Sequence, residues 1–361
     1  MTRGDATAVT PRAGVPLAPL GTLGVGGPAR WYVRVESVEQ AQAANAWACD
    51  RGLPLFTLGA GSNTVIADDG FAGLVAHVAI AGVEMHAGAD EARVDAGAGE
   101  PWDSLVARLV DEGYAGVECL SGIPGLTGGT PIQNVSAYGQ EVADTIESVT
   151  AIDRTSGDPI VIPAAACGFS YRQSRFKQGD IGRFIVCRVA FRLRRGAPTV
   201  TYPDVVRWVE REGRREPGVK DVRGAVLHIR RRKGMVLDSS DPDTRSVGTF
   251  FMNPVVPTAV QETLGAPGFP MKDGRVKIPA AWLIERSGFP KGFVAGPVGL
   301  SSKHPLALVN RGGARASDVV DLACRIKRTV LERYGIALRP EPVFVGFDRD
   351  DRVQFLQREH D

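Results

Sequence analysis

Residues 122–139 read GIPGLTGGTPIQNVSAYG, and residues 59–63 read GAGSN. Glycine lets backbone N–H groups approach an anionic oxygen closely, because no Cβ intervenes. Two such turns at the ends of strands would grip a pyrophosphate from two sides. Neither is a P-loop, since the longer run, with five glycines, has no Lys-Ser or Lys-Thr pair to close it. Neither is a Rossmann fingerprint: Thr64 stands where the third glycine belongs, and TVIADDG is no helix start. Each cluster alone reads equally well as a structural loop. Together, with Ser62, Asn63, Thr130, Gln133 and Asn134 supplying short polar groups, they point to a dinucleotide held without a Rossmann helix.

The elements around the turns are legible in outline. WYVRV at 31–35 alternates like a strand, and Ser37 with Gln40 forms a capping-box start for a helix running to Gly52. PLFTL follows as a second strand, so a compact β-α-β unit delivers the chain into the first turn. LVAHVAI is a third apolar stretch, and VDAGAG precedes a short helix from about Ser104 to Gly113. Beyond the second turn, strands are expected at 146–153 and 184–193, then a Pro- and Gly-punctuated loop, RRGAPTVTYPDV. EREGRREPGVKDVRG reads as mostly surface, with Val219 and Val222 too sparse to define a face. PAAWLIERSG is a helix with Pro279 at its first turn and Gly288 as its stop. The last helix, SDVVDLACRIKRTVLERYG, aligns Val319, Leu322, Ile326 and Val330, with Ser317 as cap and Gly335 as stop, before ALRPEPVFVGF.

A chain of 361 residues fits two or three domains, and 43 Lys plus Arg against 41 Asp plus Glu gives no global field for a nucleic acid. Cys49, Cys119, Cys167, Cys187 and Cys324 form no C-x-x-C pair, which argues against structural zinc and for free buried thiols in a reducing compartment. The amino terminus lacks an apolar signal region, and no segment reaches the ~20 apolar residues of a spanning helix. A cytoplasmic enzyme, with neither nucleic-acid nor membrane partners, is the expectation.

LGAGSN, GIPGLTGGTPIQNVSAYGQE and YRQSRFK, followed by GTFFMNPVV, KIPAAWLIE and RPEPVFVG, together resemble the UDP-N-acetylenolpyruvoylglucosamine reductase family over nearly the whole chain. The resemblance implies an α+β fold: a two-lobed FAD-binding domain of the PCMH, or vanillyl-alcohol-oxidase, type, plus a smaller α/β substrate-binding domain. It places lobe one at 1–80, lobe two at 81–234 with 336–361 returning to it, and the substrate domain at 235–335. FAD would be held non-covalently by Gly59, Gly61, Ser62, Asn63, Gly122, Ile123, Pro124, Gly125, Thr130, Gln133, Asn134 and Gly139, with the PIQN segment near the isoalloxazine. A monomer is expected, with no metal.

The implied reaction uses NADPH to reduce the flavin, and the flavin to reduce an enolpyruvyl ether. Hydride addition beside a carboxylate builds up negative charge, which needs fixed positive charge nearby. Arg172, in Tyr171-Arg172-Gln173-Ser174, matches the family's arginine for this role. Protonation then needs a positioned acid, which in the family is a serine in Gly-Ser-Phe-Phe; here Thr249 stands in that place. Its β-branch stiffens χ1 and adds a methyl group. Thr249 also reads as a residue that merely bonds a turn, and Ser246, three positions away, is a poorer donor. Glu341, between Pro340 and Pro342, matches the family's third catalytic group. For the sugar nucleotide, Tyr202 on an inserted loop and Lys233 match the diphosphate-binding pair, with Asn253 and His304 in the same pocket. Arg230, Arg231 and Arg232 read as a solvated face. No Rossmann site is left for NADPH, which fits the two substrates taking turns in one pocket. Two other readings stand beside this one: an oxidase or dehydrogenase of the same superfamily acting on an alcohol or hydroxy acid, and a flavin-binding module that has lost its catalysis.

Overall fold

The computed structural model describes residues 8–358. Residues 1–7 and 359–361, the outer ends of the expected first lobe and of the returning segment, lie outside the described residues. The chain divides into two units. One comprises the stretch through Val15 with Ala29–Ala60 and Ala72–Arg232; the other comprises Pro16–Pro28, Gly61–Phe71 and the chain from Lys233 onward.

In the first unit, Ser37 caps the helix Val38–Cys49 by accepting the Gln40 N–H at 3.2 Å. The Gln40 side chain reaches back one residue further than a standard capping box, to the Glu36 N–H at 2.8 Å. The four-stranded sheet has the order Arg12–Pro16, Pro28–Val35, Phe71–Val78, Leu55–Leu58, the last two in parallel. A larger antiparallel sheet runs Pro159–Pro163, Ile146–Asp153, Phe184–Arg195, Glu91–Gly97, Val83–Ala87. The helix Trp102–Asp111 lays Trp102, Leu105, Val106 and Leu109 into the core of this unit. Two further helices, Pro203–Arg211 and Val219–Arg232, form a satellite cluster with Cys119 through Val205, Val209, Val222, Ala225, Val226 and Ile229. The charged stretch expected at the surface is therefore the start of an amphipathic helix, and Val219 and Val222 lie on its buried face.

The second unit packs Phe250, Phe251, Leu283, Ile284 and Ile326 into one core. Its long helix, Ala316–Tyr334, buries the stripe Val319, Leu322, Ile326, Val330 and ends at Gly335, whose φ is 65°. Ser317 is not its cap. The Asp68 carboxylate accepts the N–H groups of Ala316 (2.6 Å) and Ser317 (3.1 Å), and Asp318 accepts that of Arg315 (2.8 Å). A carboxylate satisfies the helix's orphan donors and its positive end at once, so it displaces a hydroxyl. The carboxyl-terminal strand Val343–Val345 pairs in parallel with Thr64–Ile66 and groups with the second unit, whereas the sequence reading returned this segment to lobe two. Cys119, Cys167, Cys187 and Cys324 are buried, with burial pushing Cys119 and Cys187 up to about 12 and Cys167 and Cys324 up to about 11. Such thiols are inert at neutral pH. Cys49 departs from the expectation by being exposed.

Lys327, wholly buried on the long helix, donates to the carbonyls of Leu356 and Arg358, both at 2.8 Å, and so ties down the last helix, Asp351–Gln357. Burial pushes its ammonium down to about 8. Between that value and the ordinary lysine range near ~10.4, the unfolded chain holds a proton that the folded chain has lost, so stability rises with pH by up to ~1.4 kcal/mol per unit. Urea unfolding at a series of pH values is expected to show this rise in the parent and not in Lys327→Met.

Candidate active site

In the first unit, the second glycine turn lies along the segment 97–102. The Thr127 N–H donates to the Glu100 carbonyl at 2.8 Å, that of Gly128 to Ala98 at 2.9 Å, and that of Trp102 to Gly125 at 3.1 Å. A Cβ on Gly128 would sit 2.5 Å from that of Ala98, so the close approach requires glycine. Asp103 fixes the head of the turn: its carboxylate accepts the Gly122 N–H at 2.6 Å and a two-pronged contact from Arg223 at 2.6 and 3.1 Å. Burial raises this carboxyl, yet Arg223 and the Gly122 N–H together hold it below the usual range. The N–H groups of Ile123 and Gly125 meet no acceptor among the described residues. Gly59, at the end of the strand Leu55–Leu58, lies beside Leu126, so the structure brings the first turn's leading glycine to the second turn.

The short helix Gly129–Gln133 ends at Asn134, whose φ is 43°. Asn134 is fully buried and spends its amide on Glu141 (3.0 Å), the Ser170 carbonyl (2.8 Å) and the Ala143 N–H (3.3 Å). Thr130 donates to the Thr127 carbonyl at 2.8 Å, and Gln133 accepts from Lys177 at 2.7 Å. These three side chains thus shape the turn, and the backbone is what the first two can offer a ligand. Asn134 also secures the next motif: Ser170 and Gln173 exchange backbone hydrogen bonds (3.1 and 2.9 Å) across a turn with Tyr171 and Arg172 at its tip. Buried Ser174 pins the turn to the Ile132 carbonyl at 2.7 Å. Arg172 is held at φ 57°, a left-handed conformation rare for a side-chain-bearing residue and concentrated at functional sites.

Tyr138, also left-handed at φ 49°, meets Tyr202 edge-on with ring centroids 5.1 Å apart. Burial first, then the charge of Arg172, lower Arg230, which hydrogen-bonds Tyr138. Arg230 is therefore no part of a solvated face: its Nε is shut off from solvent, while Arg231 and Arg232 are exposed as expected. The helix Val219–Arg232 turns it inward, next to the Ile229 side of the satellite cluster. Tyr138 and Arg230 are the residues that sequence reading missed, although Tyr138 lies inside the quoted glycine run.

In the second unit, none of the backbone N–H groups of Gly61, Ser62 and Asn63 donates to a described residue. The Asn63 amide reaches the Glu341 carbonyl at 3.4 Å, and the Val343 N–H returns to the Asn63 carbonyl at 2.9 Å. Backbone pairing ties Glu341 to the residue after Thr249: the Glu341 N–H donates to the Phe250 carbonyl at 2.8 Å, and the Met252 N–H to the Arg339 carbonyl at 2.9 Å. The half-buried Thr249 hydroxyl makes no hydrogen bond among the described residues, so it does not serve to bond a turn. Ser246, by contrast, is buried and accepts the Gly248 N–H at 3.1 Å. Asn253 caps the helix Ala280–Arg286 with its oxygen (2.8 Å to the Ala280 N–H), leaving its NH2 as the group it can offer. His304 accepts the Leu306 N–H at Nδ1 (3.1 Å), which puts the neutral ring's proton on Nε2. Lys233 is half-buried at the start of this unit's last segment. No cluster of three or more His, Cys, Asp or Glu among the described residues is placed to hold a metal ion.

Residues 29–162 match the FAD binding domain family, and residues 241–345 match the C-terminal domain of UDP-N-acetylenolpyruvoylglucosamine reductase. A UDP-N-acetylenolpyruvoylglucosamine reductase of Thermobifida fusca is 48% identical over 347 residues, covering 92% of this chain and 97% of its own. That of Streptomyces avermitilis is 46% identical, covering 92% and 94%. The chain belongs to the UDP-N-acetylenolpyruvoylglucosamine reductase family. A crystal structure of the family's enzyme from Thermus caldophilus superposes with a TM-score of 0.64 at 26% identity, covering 94% of this chain and 99% of that one.

As a member of this reductase family the chain is a flavoprotein, and its glycine turns suit FAD. In the first unit the half-buried N–H groups of Ile123 and Gly125, and in the second unit those of residues 61–63, donate to no acceptor among the described residues. Buried or half-buried donors are nearly always paired, so these fit the oxygens of a bound dinucleotide. If Asp103 sets the head of the turn, Asp103→Asn leaves one of its donors unmatched and weakens FAD by about tenfold, or ~1.4 kcal/mol. Recovery of flavin fluorescence on dilution measures this. The wild-type contact should persist at every pH above the ordinary carboxylate range near ~3.9 and fail only as pH falls through the lowered folded value.

Proposed function

We infer that this chain catalyses the NADPH-dependent reduction of UDP-N-acetylglucosamine enolpyruvate to UDP-N-acetylmuramate in peptidoglycan precursor synthesis. It acts in the cytoplasm as a monomer on two small-molecule substrates, with no nucleic-acid or membrane partner. No helix among the described residues is long and apolar enough to cross a membrane. Family membership over nearly the whole chain is the support for the reaction, and a Thr249 hydroxyl that makes no hydrogen bond among the described residues is the observation that supports its chemistry.

FAD, when bound, would supply the hydride-transfer chemistry between NADPH and the vinyl carbon. Gly59, Gly61, Ser62, Asn63, Ile123, Gly125 and Gly139 would present backbone N–H groups to it, while Gly122, held by Asp103, and Pro124, which has no N–H, would shape the turn with the helix Gly129–Gln133 behind it. Arg172 meets the negative charge that develops beside the substrate carboxylate, where a fixed cation stabilises the transition state. Thr249 gives its proton to the adjoining carbon, and Glu341, whose backbone is tied to its neighbour Phe250, orients or replenishes that donor. Tyr202 and Lys233 hold the diphosphate, with the Asn253 NH2 and His304 Nε2 as further donors. NADPH consumption that depends on the enolpyruvyl substrate, with a product two mass units heavier, is the expected assay result. NADPH oxidation equally fast without that substrate, or an alcohol or hydroxy acid oxidised in its place, would overturn the reading.

A further inference from the structure

Glu118, one residue before Cys119 in the 3-10 turn Glu118–Leu120, is a fully buried carboxyl group whose hydrogen bonds among the described residues come from neutral donors of the first unit. One oxygen accepts the Gly116 N–H at 2.7 Å; the other accepts the Gln140 amide at 2.6 Å and the Thr199 N–H at 2.8 Å. An ionised carboxylate is costly to bury and is tolerated where hydrogen bonds surround it. Here the donors come from three separate segments, and the third begins the loop that carries Tyr202. Thr199 is gripped at every polar atom: its N–H by Glu118, its hydroxyl by the Gln140 amide at 3.1 Å, and its carbonyl by the Cys119 thiol at 3.4 Å. Gln140 is fixed in turn by accepting the Cys119 N–H at 2.8 Å. Two residues along, Thr201 presses so closely on Gly139 that a Cβ there would lie 2.4 Å from its hydroxyl. Val200 packs on the satellite cluster with Tyr138. Tyr202 at the end of this loop is 39% exposed and leans edge-on against Tyr138.

We propose that Glu118 is the positioning residue of the tyrosine loop: a buried carboxyl group whose hydrogen bonds fix residues 199–201, and through them set Tyr202 over the diphosphate of the sugar nucleotide. The proposal rests on the role given to Tyr202 above. Glu118→Gln has the same shape but offers one acceptor oxygen and turns an NH2 toward N–H donors, so one donor is always left unmatched.

Two measurements test it. Hydrogen exchange on the FAD-loaded protein should show faster exchange in Glu118→Gln across 199–202 and no change in the helix Trp102–Asp111 or the strand Phe184–Arg195; a uniform increase, or none, overturns the proposal whatever the substrate is. In steady-state kinetics the KM for the enolpyruvyl substrate should rise about tenfold with kcat within about twofold, the pattern of lost binding that is equal in ground and transition states. In a Tyr202→Ala background, which itself raises KM, Glu118→Gln should add nothing. A further full tenfold rise there, or a fall in kcat with KM unchanged, overturns the positioning role. Should Glu118→Gln not fold, Gln140→Met, which removes the amide joining Glu118 to the Thr199 hydroxyl, carries the same two expectations at smaller amplitude. A parent that does not turn over the substrate would instead refute the proposed function, and hydrogen exchange would still decide the anchor.

Discussion

Thr249→Val is expected to give a flavoprotein that NADPH bleaches at the parent rate but that the enolpyruvyl substrate reoxidises ~10²- to 10⁴-fold more slowly, the range lost when a positioned acid is removed. Valine keeps the β-branch and volume of threonine, so packing and flavin content should hold while the O–H disappears. The expectation follows from the paired backbone at 250–252 and 339–341, which ties Glu341 to Phe250, the residue after Thr249, and from a Thr249 hydroxyl that makes no hydrogen bond among the described residues. Thr249→Ser should keep turnover within about tenfold of the parent, since it retains the donor and gains rotamer freedom. Stopped-flow absorbance on each half-reaction separates these variants. A Thr249→Val protein reoxidised at the parent rate would move the acid elsewhere, with Glu341 as the next candidate.

Arg172→Ala is expected to lose ~10²- to 10³-fold in the same half-reaction, the usual cost of removing one group aimed at developing negative charge. Arg230 will not substitute for it: its Nε is shut off from solvent and its guanidinium is engaged by Tyr138. Arg172→Lys should recover only part of the loss, because a point charge does not reproduce a planar fork. The conformation adds a second expectation. A residue held at φ 57° by the Ser170 and Gln173 exchange is strained, so Arg172→Gly should raise thermal stability slightly while abolishing the rate contribution. Gain in stability with loss of rate would mark strain retained for function; loss of both would mean that the arginine is a structural tie.

Much of this was legible in the chain. The glycine turns, the capped helix at Val38–Cys49 and the terminal helix all announce themselves through local rules of glycine, capping and periodicity, which depend on neighbours in sequence. What was hidden depends on partners far away. The cap of the long helix Ala316–Tyr334 comes from Asp68, 248 positions upstream of Ala316, so local hydroxyl preference points to Ser317 instead. Arg230 sits in a run of three arginines that looks solvated until two helices fold together and turn one of the three inward. Glu118 looks like any acid before a cysteine; only the arrival of Gln140 and Thr199 makes it a buried hub. Asn134 and Thr130 are expected to supply short polar groups to the cofactor, and the fold engages their side chains within the turn that they build, while the Gln133 oxygen accepts from Lys177. Sequence shows which residue types a site requires, but not which of them the fold has already used.

The central claim is that one flavin passes electrons from NADPH to an enolpyruvyl ether with Thr249 as proton donor. Flavin absorbance of the purified protein, followed anaerobically through addition of NADPH and then of UDP-N-acetylglucosamine enolpyruvate, tests it most directly. Bleaching followed by full recovery, with UDP-N-acetylmuramate formed in equal amount, is the predicted result. Bleaching without recovery would contradict it, leaving a flavoprotein of this family whose acceptor is another molecule or whose threonine cannot complete the reaction.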